Sequence, residues 1–116
     1  MYQETAKELI QFIENSPTCF HAVASMKEML EKEGYTELKE ADKWEIKKGG
    51  NYYVTRNDSS LIAFSVPEGE AKGFRIMASH SDSPCFKIKE NPEMTVDNKY
   101  VKLNVERYGG MICAPW

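Results

Sequence analysis

The spacing of apolar residues changes along the chain from a helical period to a strand period, and this change most constrains the fold. Before Gly34, apolar side chains recur every three or four positions, as in Leu9, Ile10 and Ile13. That spacing places them on one face of a helix. From Trp44 onward apolar and polar residues tend to alternate, which is typical of strands. The order predicts helices first and a sheet afterwards.

Two helices are predicted in the N-terminal part of the chain. In "TAKELIQFIENSP", Thr5 and Glu8 stand at capping-box positions, and Pro17 excludes the helical conformation from the residue before it. In "FHAVASMKEMLEKEG" the apolar residues again follow helical spacing, and Gly34 stands where a C-terminal cap is expected. We therefore expect one short helix before Pro17 and a second helix that ends near Gly34.

The rest of the chain contains strand patterns separated by turns. Trp44 and Ile46 alternate with charged residues before a "KKGGN" turn, and "YYVT" resumes the extended pattern, as in a hairpin. A second turn, "RNDSS", precedes the strand "SLIAFSV", and "FRIMAS" is an apolar run of the kind buried on both faces of a sheet. The alternating "YVKLNVE" predicts a half-exposed strand that Gly109 ends. Helices together with a mixed β-sheet indicate the α/β class.

Length and composition fit one globular domain that works neither in a membrane nor on nucleic acid. The chain has 116 residues, of which 41% are hydrophobic and 28% charged. No apolar run approaches the roughly 18 residues that a bilayer-spanning helix needs. The net charge is -3, and lysines alternate with glutamates instead of forming a basic stripe. We expect no membrane and no nucleic-acid partner.

The N-terminus and the cysteines indicate the cytoplasm. "MYQETAKELIQF" has acidic residues early and lacks the basic and then apolar order of a secretory signal. Cys19, Cys85 and Cys113 are an odd number with long gaps and no C-x-x-C pair, so neither a disulfide framework nor a thiolate zinc site is indicated. We expect reduced cysteines in a cytoplasmic protein.

His80 and Asp82, within "RIMASHSDSPCFKIK", are the candidate site residues. His80 follows the predicted buried strand, and ligand crevices in open α/β sheets lie beyond the carboxyl ends of strands. Residues two apart in an extended segment point the same way, so Asp82 can accept the second N–H of the imidazole. That bond would fix the tautomer and make the metal-facing nitrogen more basic. Pro84 would stiffen the turn that follows.

The H-x-D spacing by itself leaves several interpretations open. A histidine at a strand end is more often a hydrogen-bonded turn residue than a metal ligand. A second interpretation makes Cys85 a nucleophile with His80 as its base, although five residues across a proline turn hold the two groups poorly for a mutual hydrogen bond. A third is a strained zinc site made by His80, Asp82 and Cys85. His21 is interpreted as a capping or interface histidine.

Four segments, in order along the chain, resemble the N-terminal portion of the aspartyl aminopeptidase family of zinc metallopeptidases, in its bacterial branch. They are "NSPTCFHAV", "YYVTRNDSSLIAF", "ASHSDSPCFKIKENPEM" and "YVKLNVERYGGMI". The resemblance implies that His80 is a ligand of a two-zinc site and that Asp82 is the catalytic acid that orients it. It also implies that residues 1–116 form the N-terminal part of an α/β zinc-aminopeptidase catalytic domain. Members of the family carry an inserted β-rich domain used for assembly into large homo-oligomers.

The implied reaction removes an N-terminal residue, often acidic, from a peptide substrate, with two zinc ions and a glutamate as general base. A catalytic zinc needs about three protein ligands, and the resemblance implies that the remaining ligands lie beyond Trp116. The apolar ending "MICAPW" also suggests an interrupted chain. We therefore expect the 116-residue chain to be inactive by itself and not to retain zinc. The alternative is a non-catalytic module, derived from that enzyme, that binds itself or a partner.

Overall fold

The computed structural model describes residues 2–112, in which two helices, a three-stranded sheet and a two-stranded hairpin are formed. The elements are α1 (Tyr2–Glu14), α2 (Cys19–Lys32), β1 (Thr36–Leu38), β2 (Asn51–Arg56), β3 (Ser60–Ser65), β4 (Cys85–Val96) and β5 (Tyr100–Tyr108). Instead of the single unit expected from the length, the chain divides into two compact units. The first unit ends at Asp82 and the second begins at Ser83. Neither helix has the length and apolarity needed to cross a bilayer.

The C-terminal end of α2 agrees with its sequence signal, and its N-terminal end is capped by a side chain. Thr18 is the N-cap residue, and its Oγ1 accepts a hydrogen bond from the backbone N–H of His21 at 3.4 Å. The helix ends at Lys32, and Gly34 adopts φ of +80°. A residue with a side chain pays a steric cost at that angle, whereas glycine does not. The prediction of a C-terminal cap at Gly34 is confirmed.

The first helix begins earlier than its sequence signals predicted. Because α1 runs from Tyr2 to Glu14, Thr5 lies inside the helix, and its prediction as the start of a capping box with Glu8 is wrong. Glu4 lies in the first turn, where a negative side chain interacts favourably with the helix dipole. The helix ends before Pro17, as predicted.

β1, β2 and β3 form a mixed sheet in that order. β1 runs parallel to β2, with Leu38 opposite Val54, and β2 runs antiparallel to β3, with Val54 opposite Ile62. The turn between β2 and β3 is the predicted "RNDSS", where Asn57 and Asp58 have φ of +52° and +50°. Asn and Asp tolerate this left-handed region better than other side chains. Helices with a mixed sheet confirm the α/β class.

The predicted hairpin before β2 is wrong. Trp44 and Ile46 lie outside any strand, and β1 occupies the edge of β2 instead. The indole N–H of Trp44 donates to the carbonyl of Lys39 at 2.8 Å, and its ring stacks on Phe64 with centroids 6.3 Å apart. Two alternating apolar residues are too short a pattern to specify a strand when the ring can pack elsewhere.

The predicted buried strand "FRIMAS" is also absent. Residues 66–84 contain no helix or strand, and within them Phe74 is 93% and Met77 99% exposed. An apolar run favours a buried strand only where another surface covers it. No such surface meets this run among the described residues.

The second unit contains the β4–β5 hairpin. The predicted strand "YVKLNVE" forms β5, and Gly109 follows it at φ of +78°. β4 pairs with β5 from Cys85 opposite Tyr108 to Val96 opposite Tyr100, with an irregularity between Ile88 and Glu93. The sequence did not predict β4 because "KENPE" interrupts its alternation with charges and a proline.

The buried residues of the described chain come from α2 and β2. They are Ala22, Val23, Tyr52, Tyr53 and Val54. The hydroxyl of Tyr53 donates to Oε1 of Glu31 at 2.6 Å, so a hydrogen bond joins the sheet to the helix beside this core. Burial, together with this bond, raises the pKa of Tyr53 above its ordinary value.

Candidate metal-binding site at His80

His80 and Asp82 lie near the end of the irregular segment that follows β3. The prediction that His80 ends a buried strand is wrong, because residues 66–84 form no strand. The carboxyl end of a strand therefore does not position this histidine. What holds the pair together is the contact between the His80 ring and Asp82.

The structure brings His80 and Asp82 into direct contact. Nδ1 of His80 lies 2.8 Å from the backbone carbonyl oxygen of Asp82 and 3.1 Å from its Oδ1. Both oxygens are acceptors, so Nδ1 must carry the hydrogen in the neutral ring. The carboxylate contact is the one that the sequence suggested, but the nearer acceptor is the backbone carbonyl, which the side-chain pattern did not suggest.

This contact determines which ring nitrogen of His80 is available. With the hydrogen on Nδ1, the lone pair is on Nε2, and a metal ion binds a neutral imidazole through such a lone pair. The His80 side chain is 81% exposed. The arrangement therefore has the geometry of one metal ligand and the group that orients it.

Ser81, between the two, connects the motif to the sheet. Its hydroxyl donates to the backbone carbonyl of Ser59 at 2.8 Å. Ser59 lies in the turn between β2 and β3, 22 residues earlier in the chain. The sequence contained no signal for this bond, because a serine beside a histidine does not reveal a backbone partner that far away.

The described residues do not complete a zinc site. A catalytic zinc takes about three protein ligands, and residues 2–112 contain no group of three His, Cys, Asp or Glu side chains that could hold a metal ion. Cys85 begins β4 in the second unit, and Nδ1 of His21 pairs with Oγ1 of Thr18 at 2.8 Å at the start of α2. The donors of the described residues therefore do not fit a zinc ion by themselves.

The sequence matches the family described as aminopeptidase I zinc metalloprotease (M18) over residues 12–116. The chain belongs to this family. The resemblance carried by four segments, as the N-terminal portion of such an enzyme, is thereby confirmed.

Relatives in bacteria are similar over nearly the whole chain. The chain is 55% identical to probable M18 family aminopeptidase 2 of Clostridium novyi, covering 96% of this chain and 26% of that protein. It is 48% identical to the protein of the same name in Pseudomonas aeruginosa, covering 100% of this chain and 27% of that protein. The chain thus spans about a quarter of the length of the curated relatives it matches.

Solved structures of M18 relatives have the same fold. Yeast aminopeptidase 1 (Ape1) superposes with a TM-score of 0.85 at 30% identity, over 100% of this chain and 28% of the yeast chain. The S. cerevesiae mApe1 dodecamer gives 0.83 at 31% identity, over 99% of this chain and 27% of that chain. A chain of the Ape4 and Nbr1 complex superposes with a TM-score of 0.86 at 37% identity, over 96% of this chain and 22% of that chain. These similarities support the α/β class independently.

Proposed function

We propose that this chain is the N-terminal part of a zinc aminopeptidase that removes N-terminal residues, often acidic ones, from peptides. In this proposal His80 is one zinc ligand, through Nε2, and Asp82 is the acid that orients it. Membership of the M18 family supports the reaction class. The residue assignment is supported by the contact of His80 Nδ1 with the backbone carbonyl oxygen and Oδ1 of Asp82, because this contact leaves Nε2 with the lone pair.

The contribution of these two residues is orientation. Asp82 accepts from Nδ1–H, which holds the imidazole in one tautomer and restricts its rotation. A ligand held in this way loses less conformational freedom when a metal binds, and groups of this kind affect metal affinity or activity about 10–100-fold in metalloenzymes.

A chimera tests the catalytic proposal. This chain replaces the matching segment of the Clostridium novyi relative, with which it shares 55% identity. With zinc, the chimera should release the first residue from chromogenic aspartyl and glutamyl substrates, and a leucyl substrate measures the preference for acidic residues. His80→Ala should abolish release and lower the zinc content, and Asp82→Asn should lower activity about 10–100-fold.

His21→Ala in the same chimera is the matched control, because His21 contacts Thr18 in a different part of the first unit. It should retain zinc and activity. Full zinc content and activity after His80→Ala would contradict the ligand assignment. A folded chimera that releases no residue from any of the substrates would contradict the aminopeptidase proposal.

We further propose that the 116-residue chain is inactive by itself and does not retain the two zinc ions. The support is that it supplies one matched ligand, whereas a catalytic zinc needs about three. The purified chain should release no aspartate from a chromogenic peptide with or without added zinc. Zinc-dependent release that disappears in His80→Ala would contradict this part of the proposal.

Assembly into a homo-oligomer is also proposed, with peptides as substrates and neither nucleic acid nor membrane as partners. The support for assembly is that a similar S. cerevesiae protein is a dodecamer. The cytoplasmic location stays a prediction from the sequence. Gel filtration with light scattering of the chimera should give a mass several times that of one chain, and a monomer over the micromolar range would contradict assembly.

A second candidate function is a non-catalytic module that associates with copies of itself. It is favoured by the β4–β5 hairpin, in which Ile88 is 61% and Leu103 60% exposed. Ile88→Lys with Leu103→Lys should then convert the 116-residue chain from an oligomer to a monomer in sedimentation. A wild-type chain that is already monomeric at micromolar concentration would contradict this function and leave the catalytic proposal untouched.

A further inference from the structure

The segment that carries His80 is long and irregular. Residues 66–84 connect β3 to the second unit without a helix or strand, and their large apolar side chains are exposed. A connection of this length populates many conformations unless specific bonds hold it. A histidine that presents one nitrogen in a defined direction therefore needs such a bond close to it along the chain.

Ser81 supplies a bond of this kind. Its hydroxyl hydrogen bond to the carbonyl of Ser59 measures 2.8 Å, and both serines are half-buried, which limits competition from water. Ser59 lies between the paired residues Arg56 and Ser60 and outside the strand register, so its carbonyl can serve an acceptor role for a distant segment.

The turn that receives this bond is itself well held. The backbone N–H of Ser59 donates to the carbonyl of Arg56 at 3.2 Å, and the hydroxyl of Ser60 donates to the same oxygen at 3.3 Å. β2, which leads into the turn, contains the buried Tyr53. The acceptor of the Ser81 bond is therefore attached to the most buried strand of the described chain.

The bond also lies at the centre of the His80–Asp82 contact. Ser81 joins the two residues directly, and both contacts of His80 Nδ1 are made to Asp82. A rotation of the backbone at Ser81 would move the backbone carbonyl oxygen and Oδ1 of Asp82 relative to the His80 ring. Holding the Ser81 side chain therefore restricts the rotations that would separate Nδ1 from its acceptors.

We propose that Ser81 is a positioning residue for His80. Its hydroxyl fastens the His80–Asp82 segment to the β2–β3 turn, and this keeps His80 in the Nδ1–H tautomer with Nε2 available. The value of that arrangement for metal binding rests on the function proposed above. The effect on the tautomer itself does not depend on any metal.

NMR of the 116-residue chain with ¹⁵N-labelled histidine tests the proposal at a pH well above the ordinary range of imidazole protonation. The nitrogen shifts and two-bond couplings report the tautomer of each ring, and His21 serves as internal reference. In the wild-type chain His80 should be mainly the Nδ1–H form. Ser81→Ala should lower the ratio of Nδ1–H to Nε2–H at His80 about fivefold, the effect of about one net hydrogen bond, while His21 does not change.

Three further variants separate positioning from general destabilisation. Ser81→Thr keeps the hydroxyl and should restore the wild-type ratio, whereas Ser81→Cys keeps the volume but donates weakly and should give an intermediate one. Ser79→Ala removes a hydroxyl on the other side of His80 and should change nothing. If Ser81→Ala does not fold, the Ser81→Cys and Ser81→Thr pair still decides the matter.

An unchanged tautomer ratio in a folded Ser81→Ala or Ser81→Cys variant would overturn the proposal, as would an equal change in Ser79→Ala. This outcome can be distinguished from failure of the metal-ligand function. That function fails when the His80→Ala chimera keeps its zinc, a result that leaves the NMR measurement unaffected. Conversely, if His80 binds zinc but substitution of Ser81 does not change its tautomer ratio, only the positioning proposal is overturned.

Discussion

The β2–β3 and β4–β5 hairpins share one turn geometry but differ in what covers them. Asn57–Asp58 and Asp97–Asn98 all have φ between +50° and +52°. In each turn the following residue donates its backbone N–H across the loop, to Arg56 at 3.2 Å in the first and to Val96 at 3.0 Å in the second. Two short polar side chains that tolerate the left-handed region are thus sufficient to specify each hairpin.

Burial separates the two. Tyr52, Tyr53 and Val54 of β2 are buried, while no residue of β4 or β5 is buried within the described chain. β2 lies between two other strands and is bonded to α2 through Tyr53. The difference teaches that a turn determines which strands pair, whereas the stabilisation from apolar burial depends on the elements that pack against them.

The strongest test of this contrast removes one tyrosine from each hairpin. Tyr53→Ala should lower the free energy of unfolding by about 3–5 kcal/mol, because it removes a fully buried ring. Tyr100→Ala removes a ring that is 70% exposed and should change it by about 0.5 kcal/mol or less. Urea denaturation followed by circular dichroism measures both. Equal losses would mean that β5 depends on burial as much as β2 does.

A glycine beside each hairpin gives the next largest effect. A Cβ at Gly50 would lie 2.6 Å from Cε2 of Tyr52, while a Cβ at Gly110 would meet no atom within 4 Å. Gly50→Ala should therefore cost about 1–3 kcal/mol of unfolding free energy through overpacking, and Gly110→Ala is its control. The two urea midpoints should differ clearly. Coincident midpoints would show that the Tyr52 ring moves aside without cost.

We expect the Tyr53 hydroxyl, in the β2–β3 hairpin, to make a pH-dependent contribution to the free energy of unfolding. Tyr53→Phe should cost about 0.5–1.5 kcal/mol at neutral pH, since the bond to Glu31 is lost. Burial raises the pKa of Tyr53 in the folded state, so its contribution is present below the ordinary value of 10.0 and declines as the pH rises toward the folded pKa.

The advantage of the wild-type chain over Tyr53→Phe should therefore shrink between about pH 9 and pH 11. Unfolding free energies of the two proteins at each pH measure this difference, and the other tyrosines cancel in the comparison. An advantage that stays constant or grows over this range would contradict the buried, proton-retaining state of the hydroxyl.

The smallest effect concerns the surface pair at the end of β2. Nε of Arg56 donates to both carboxylate oxygens of Glu40, at 3.1 and 3.2 Å, and this bond lowers the pKa of Glu40 below its ordinary 4.5. The lowered pKa contributes stability above pH 4.5 that is lost as the pH falls through the folded pKa. The contribution is small, because exposed pairs are screened by solvent.

Carboxyl-carbon NMR titration checks this last prediction. Arg56→Gln should return the pKa of Glu40 toward its ordinary value, and Arg75→Gln, a neutralisation in the irregular segment, should leave it where it is. If both substitutions raise the pKa equally, the net charge of the chain and not the Arg56 contact lowers it.

Two predictions from the sequence were confirmed because their cause lies within a few residues, although the equally local capping box at Thr5 was wrong. Gly34 ends a helix because of its own φ, and "RNDSS" turns because Asn57 and Asp58 tolerate the left-handed region. Two other predictions were wrong because the outcome depends on a distant partner. Trp44 packs on Phe64 instead of forming a strand, and the apolar "FRIMAS" run has no described surface against it.

The predictions about the candidate site show the same difference between local causes and distant partners. The sequence by itself determined the M18 membership, the "RNDSS" turn and the pairing of His80 with Asp82, because residues two apart meet in many local conformations. Only the tertiary structure decided that the pair lies in an irregular segment, that the carbonyl of Asp82 is the nearer acceptor, and that Ser81 bonds to Ser59. The physical reason is range: dihedral preferences act on neighbouring residues, whereas a hydrogen bond across 22 residues exists only after the sheet has formed.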